Sequence, residues 1–226
     1  MIGIIGAMDI EINGLRAQMT GAETRVISGI EFTRGLLCGT EVVTAVCGIG
    51  KVFAALCTQT MILSYKPDCI INTGVGGSLT TELNIGSIAI ASSAVEHDMD
   101  TTALGDEPGF INGLGLVKIP TDPGLAERLC KAAETSNIPY LTGTIASGDQ
   151  FVSTIEAKTT LAEKFSAITC EMEGAAIGHV CHVNKVPFAI VRAISDSLTD
   201  GSGMEYETFK VMAAEMSNKM IMEILK

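Results

Sequence analysis

The chain has 226 residues, 47% of them hydrophobic and 4% aromatic, with no Trp, so a sizeable core must come from aliphatic side chains and 11 Met. Its 15 Lys and Arg stand against 26 Asp and Glu, a formal net charge of −11; such a field repels phosphate backbones and anionic lipid, which argues against nucleic acid and membrane surfaces as partners. No stretch free of Asp, Glu, Lys and Arg exceeds 14 residues, short of the roughly 18 that mark a transmembrane helix.

This length suits a single α/β domain over residues 1–226. Ile2–Gly6 is predicted as a strand and Asp9–Met19 as a helix. Asp9 and Glu11 interrupt the apolar start, so no signal peptide is expected there. Val26–Ser28 and Glu31–Thr33 read as a hairpin turning at Gly29. Further strands are predicted at Glu41–Cys47, Cys69–Thr73, Ser87–Ser92, Leu141–Ala146 and Phe188–Ile194. Near-continuous Ile and Val runs of this kind suit strands buried on both faces. Helices are predicted at Lys51–Tyr65, Asp122–Asn137, Ile155–Phe165, Glu173–Asn184 and Met204–Leu225. Thr121 or Asp122 offers a cap for the third of the six helices. Ser202 and Glu205 have capping-box spacing ahead of the last. In that last helix Phe209, Met212, Met216, Met220 and Ile224 recur at helical spacing, which predicts a core stripe. The pattern is a mostly parallel or mixed sheet with helices on both faces. Seven Cys, an odd number without C-x-x-C, read as reduced thiols of a cytoplasmic protein.

Several glycine-rich segments fail as nucleotide motifs. Gly48-Ile49-Gly50 would need glycine at 53 for a dinucleotide fold, and Phe53 stands there. Gly74-Val75-Gly76 would need it at 79, occupied by Leu79. Gly50-Lys51 lacks the glycine that a P-loop needs at position 45, which is Ala45, and the hydroxyl at position 52, which is Val52. These segments serve either as tight turns at strand ends or as places where backbone comes close to a ligand. His97-Asp98-Met99-Asp100 and His179, Cys181 and His182 lack a recognised ligand spacing, so no metal is expected. No G-x-S-x-G or convincing Ser-His-Asp order occurs.

Carboxylates remain. Glu11 follows the first strand, Glu171 and Glu173 open a late helix, and Asp196 ends the last strand. At element ends they are either solvated or gathered on one pocket, since an unpaired buried charge costs several kcal/mol or more. If the strands are parallel neighbours, their C-terminal ends converge. Acids on two sides of a pocket suit glycosidic bond cleavage, one protonating the leaving group and one activating water.

From end to end the chain resembles the 5′-methylthioadenosine/S-adenosylhomocysteine nucleosidases of the purine nucleoside phosphorylase-like superfamily. The resemblance rests on Gly3-Ile4-Ile5-Gly6-Ala7-Met8 with Glu11, on Gly48-Ile49-Gly50-Lys51-Val52, and on Asn72-Thr73-Gly74. It continues through His97-Asp98-Met99-Asp100, Ser147-Gly148-Asp149-Gln150-Phe151-Val152, Glu171-Met172-Glu173-Gly174 and Arg192-Ala193-Ile194-Ser195-Asp196. It implies a three-layer α/β sandwich around a twisted mixed sheet, a homodimer, and hydrolysis of adenine from a 5′-thioribose without metal or organic cofactor. It also implies a role in methionine salvage.

Carried over by position, Asp196 resembles the acid that protonates adenine N7 and Ser195 the group that orients it. Glu11 resembles the residue that holds and deprotonates the attacking water, with Arg192 on the water side. Glu173 is implied to grip the ribose hydroxyls, beside Glu171, and Met172 to pack under the sugar. Phe151 is implied to stack on adenine while the backbone of Val152 reads its edge. Met8, Ile49 and Tyr206 would line the sugar and 5′-thio pocket, with Val75 and Gly76 alongside. Two positions depart from the pattern. Val75 stands where many members have Ser near the water. Leu104 stands where an aromatic residue is common, at a position implied to reach the neighbouring subunit's 5′ pocket. A futalosine or aminodeoxyfutalosine nucleosidase, or a phosphorylase on the same scaffold, remains an alternative, as does a non-catalytic adenosine-binding protein. A phosphorylase needs cations for phosphate, and the first loop carries Glu11 and no Arg before Arg16.

Overall fold

In the computed structural model, which describes residues 1–198 and 203–226 without the side chains of 203–205, the sheet grows outward from β1 (Ile2–Gly6). Ile4 and Ile5 of this strand are both fully buried. Successive side chains of a strand point to opposite faces, so each of these faces must be covered. Ile4 packs in one cluster with Ile12 of α1 (Asp9–Arg16), Leu129 of α3 (Pro123–Thr135) and Met220 of α6 (Gly203–Ile224). Ile5 packs in another with Ala54 and Met61 of α2 (Lys51–Tyr65) and Ile177 of α5 (Gly174–Asn184). These are the three layers expected from the sequence.

β1 is parallel to β4 (Thr40–Val46) and to β5 (Cys69–Ser78). Beyond β4 lies the hairpin of β2 (Thr20–Ile27) and β3 (Ile30–Leu37). Ser28 and Gly29 connect it with φ of 54° and 76°, the left-handed pair that a two-residue hairpin turn requires. On the other side the sheet closes on itself. β10 (Phe188–Asp196) is parallel to β5 and antiparallel to β6 (Ile88–Glu96). β6 is parallel to β8 (Tyr140–Ser147), with the two-residue β7 (Ile119–Pro120) on its flank. β8 is parallel to β9 (Ala167–Glu171), and β9 returns antiparallel to the end of β5. α4 (Ile155–Phe165) covers this ring, burying Leu161 and Phe165 with Val95 and Ala146.

Four expectations need correction. β5 does not stop at Thr73 but runs through Gly74-Val75-Gly76-Gly77 to Ser78. The segment is strand because it pairs with Arg192–Asp196 of β10 and, at Gly77, with Cys170 of β9, and glycine suits it because neighbouring side chains lie close; a Cβ on Gly76 would come 2.7 Å from Thr169 Cγ2. β9 is absent from the sequence prediction: its five residues include small Ala167, Thr169 and Cys170, and its burial comes from packing. α1 ends at Arg16 rather than Met19. The expected Met stripe of α6 holds at Met220 and Ile224, which are buried, and Met216 packs against the same core, but Met212 is 41% exposed; Ala213, Ser217 and Ile221 beside the stripe are buried as well. Ser217 Oγ shares a 2.5 Å hydrogen bond with Thr73 Oγ1 and accepts one from Gly74 N at 3.1 Å, so small and polar groups seat the helix on β5. The Ser202–Glu205 capping box lies outside the described residues. The cap expected at Thr121 or Asp122 is Asp122, which accepts from Leu125 N at 2.9 Å. Among the described residues no helix is long and apolar enough to cross a membrane.

Candidate active site

The C-terminal ends of β1, β9 and β10 converge on the glycine run of β5 around a cleft of about 360 Å³. Glu11 stands in the first turn of α1 and folds back on the loop before it. Its Oε2 accepts from Ala7 N at 2.7 Å and Met8 N at 3.0 Å, and its Oε1 accepts from Val75 N at 3.0 Å. The side chain is 3% exposed. Burial raises its pKa above the ordinary carboxylate value, and Arg192 and the three amides offset that only in part. At position 75 it is the backbone that serves Glu11, so Val supplies this contact as Ser would.

Behind the cleft Arg192 joins three elements. Its Nη2 donates to Asn72 Oδ1 at 2.5 Å and to Glu171 Oε2, and Glu173 Oε2 lies 3.9 Å away. Asn72 is held in turn through Nδ2 to Ile5 O at 2.9 Å. Glu171 also accepts from Ser147 Oγ and from the amides of Glu173 and Gly174, at 2.9 and 2.8 Å, at the start of α5. Burial opposes its charge, but Arg192 and these donors outweigh it and hold its pKa below the ordinary value. Both oxygens of Glu171 are thus occupied. Glu173 occupies the N-cap position of α5, but its side chain turns away from the helix and its Oε1 accepts from Gly50 N at 2.8 Å. Burial first and the Glu171 charge second push its carboxyl up to about 8. The Gly48-Ile49-Gly50 loop therefore approaches a carboxylate, at φ of 92° and 99° for its glycines.

Asp196 ends β10, where the register with β5 breaks between Ile194 and Asp196. A break of this kind re-aims side chains at a strand end. Ser195 Oγ donates to Asp196 Oδ1 at 3.0 Å, and Lys158 Nζ donates to Oδ2 at 2.5 Å. Lys158 is 1% exposed, and sequence reasoning gave it no role. A signal was present: Lys158, Leu161 and Phe165 share one face of α4, a cation on the apolar stripe of an amphipathic helix. Asn72 and Ser147, to which the sequence assigns no role, hold Arg192 and Glu171.

The remaining wall is largely apolar: Met8, Ile49, Val75, Gly76, Phe151, Val152, Met172 and Tyr206 all line the cleft. Phe151 and Tyr206 meet edge to face with ring centroids 5.2 Å apart, and the Tyr206 hydroxyl donates to Met8 Sδ at 3.5 Å. Of the expected site residues, Arg192 and Leu104 do not reach the cleft. Arg192 lies behind it, and Leu104 projects from a short 3-10 turn (Thr102–Leu104), 83% exposed. Lys51 Nζ lies 3.2 Å from Glu96 and 2.6 Å from Asp98, while His179 Nδ1 is 2.8 Å from Glu96.

The whole chain, residues 1–226, matches the family model described as the phosphorylase superfamily. A 5′-methylthioadenosine/S-adenosylhomocysteine nucleosidase of Shewanella loihica is 40% identical over 227 residues, covering 100% of this chain and 98% of the relative. The crystal structure of the nucleosidase of that name from Neisseria meningitidis, in complex with methylthio-immucillin-A, superposes with a TM-score of 0.95 at 36% identity, covering 100% of this chain and 98% of that one. The native structure of futalosine hydrolase of Helicobacter pylori gives 0.93 at 34% identity, covering 99% and 96%. With the fold, the matched family model and these identities over full length, the chain belongs to the 5′-methylthioadenosine/S-adenosylhomocysteine nucleosidase family of the phosphorylase superfamily.

Proposed function

We propose that this protein hydrolyses the N-glycosidic bond of 5′-methylthioadenosine and S-adenosylhomocysteine, releasing adenine and the 5′-thioribose. The observation that carries this is the pair of buried carboxyl groups on one apolar cleft: Glu11 held by three amides, and Asp196 held by Ser195 and Lys158. Asp196 supplies the proton that adenine N7 takes up as the C1′–N9 electron pair leaves with the base. Protonating the leaving group in this way contributes about 10²–10⁴-fold. Glu11 binds the attacking water and accepts its proton, a task helped by burial, which raises its pKa and makes it a stronger base than a free carboxylate. Glu173 binds the ribose hydroxyls. Arg192 and Glu171 lock the frame behind them as a neutral pair, and the carboxylate of Glu11 favours an oxocarbenium-like sugar. Phe151 stacks on the base and the Val152 backbone reads its edge, while Met8, Ile49, Met172 and Tyr206 enclose the sugar and 5′ group. None of these steps calls for a cofactor.

The active form is a homodimer in the cytoplasm. Ile49, Val52, Phe53 and Leu56 form an exposed apolar strip at the start of α2, with Val52 78% and Leu104 83% exposed. Exposed apolar groups clustered in this way suit a protein interface. The interface includes 97–109, so that Leu104 of the partner subunit closes the 5′ pocket. Seven unpaired cysteines, five of them buried, suit a reducing compartment. The test is to incubate the pure protein separately with 5′-methylthioadenosine, S-adenosylhomocysteine and aminodeoxyfutalosine and assay free adenine. Release from the first two supports the assignment. Release from aminodeoxyfutalosine alone would favour the function that the futalosine hydrolase likeness suggests.

A further inference from the structure

Lys158 belongs to neither the cleft wall nor the surface. It sits one turn into α4, and its ammonium donates to Asp196 Oδ2 and to the Ser197 carbonyl, both at 2.5 Å. A lysine 99% removed from solvent is rare, and one is retained only where its charge is paired. The partner here is the Asp196 carboxylate, which takes up a proton before it can pass one to adenine N7. Opposite, Ser195 Oγ holds Oδ1 at 3.0 Å. Between these two donors the carboxyl group cannot turn about its own axis without losing a hydrogen bond. The backbone of β5 closes the third side: a Cβ on Gly77 would lie 2.9 Å from Oδ2.

The helix that carries Lys158 starts just after the loop that lines the base end of the cleft. Phe151 and Val152 precede Thr154, which caps α4 through a 3.2 Å bond from Ala157 N. The Lys158 amide donates to Thr154 O at 3.0 Å. One rigid turn thus connects the base-contacting loop to the ammonium that grips the acid. We infer that Lys158 is the positioning residue of this active site, fixing the Asp196 carboxyl against the base and tying it to the 151–154 loop. It touches no substrate, so its effect on rate passes through Asp196 alone. This rests on Asp196 acting at adenine.

The test uses the full-length protein and 5′-methylthioadenosine, with steady-state adenine release as the readout. Misplacing a reacting group by 1 Å costs about 10²-fold, so Lys158→Met is expected to lower kcat about 10- to 100-fold. KM should move by less than about threefold, because ground-state contacts are untouched. Lys158→Arg, which keeps a buried donor, should recover most of the loss. In an Asp196→Asn background, Lys158→Met should lower kcat by no more than about twofold, because two residues acting as one unit are not additive. The double variant also leaves no unpaired charge, so it remains informative if the single Met variant folds poorly. Near wild-type kcat in Lys158→Met, full multiplicative loss in the double variant, or no recovery with Arg would each overturn the role of Lys158. Near wild-type kcat in Asp196→Asn would instead overturn Asp196 as the acid, a distinguishable failure.

Discussion

Replacing Gly74 with Ala presses a methyl group on the residue proposed to hold water. A Cβ there would stand 2.5 Å from Glu11 Oε1 and 3.0 Å from Arg192 Nη1, whereas ordinary contact begins at 3.4 Å. The strand or the carboxyl group must therefore give by about 0.9 Å. Glu11 has little freedom to do so, because its Oε1 is held by Val75 N at 3.0 Å and its Oε2 by Ala7 N at 2.7 Å. Overpacking of this kind costs about 1–3 kcal/mol of stability. A displacement near 1 Å at a reacting group costs about 10²-fold in rate. Gly74→Ala is thus expected to fold with a lowered urea midpoint and to release adenine from 5′-methylthioadenosine with kcat down about 100-fold. Gly113→Ala is the control: nothing lies within 4 Å of its Cβ, so stability should stay within about 0.5 kcal/mol and kcat should not change. Wild-type kcat in Gly74→Ala would refute the claim that the position of Glu11 sets the rate.

Glu173 binds its proton more tightly folded, at about 8, than at its ordinary 4.5. The stability this gives is full below the lower value and is lost as pH rises through the higher. Glu173→Gln should flatten that decline, whose limit is roughly 1.4 kcal/mol per pH unit for one proton, and identical urea midpoints against pH for variant and wild type would refute the shift. A charge on the exposed apolar strip, Phe53→Asp, should convert a dimer to single chains by light scattering; a wild type of single-chain mass would refute the proposed dimer. 5′-Methylthioinosine should be cleaved at least about 10²-fold less efficiently in kcat/KM than 5′-methylthioadenosine, because a hydrogen-bonding base site leaves its own groups unpaired with the wrong base. The apolar 5′ pocket should separate methylthio and homocysteinyl groups by about 1–3 kcal/mol at most, and equal efficiency with the inosine analogue would refute the base-reading role of Asp196 and Val152.

Much of this architecture was legible because burial writes itself into periodicity. β1, β4, β10 and α2 announce themselves as apolar runs of the right length between glycine and proline breaks. β9 and the far half of β5 do not. Gly74-Val75-Gly76-Gly77 carries no strand signal; it is extended because it pairs with Arg192–Asp196 of β10 and, at Gly77, with Cys170 of β9, and it is glycine-rich because Glu11, Thr169 and Asp196 lie against it. The acids themselves were visible as charges at the ends of apolar runs. Their partners were less so, since a hydrogen bond such as Gly50 N to Glu173 spans 123 residues of sequence. Lys158 is the instructive miss. Its place on the buried face of α4 was readable, but the carboxylate that keeps it there lies 38 residues away. The Met stripe of α6 reads the core correctly at Met220 and Ile224, while nearer the start of the helix Ala213 and Ser217 allow the closer approach.

The most direct measurement asks what attacks the sugar. Glu11 is the residue proposed to meet the nucleophile, and a carboxylate in that role repels an anion at short range. Pure protein and 5′-methylthioadenosine are incubated in phosphate-free buffer and again with added inorganic phosphate, and the sugar product is identified by mass spectrometry. The two-carboxylate account predicts free 5-methylthioribose with adenine at the same rate in both. Phosphate-dependent turnover yielding 5-methylthioribose 1-phosphate would contradict it.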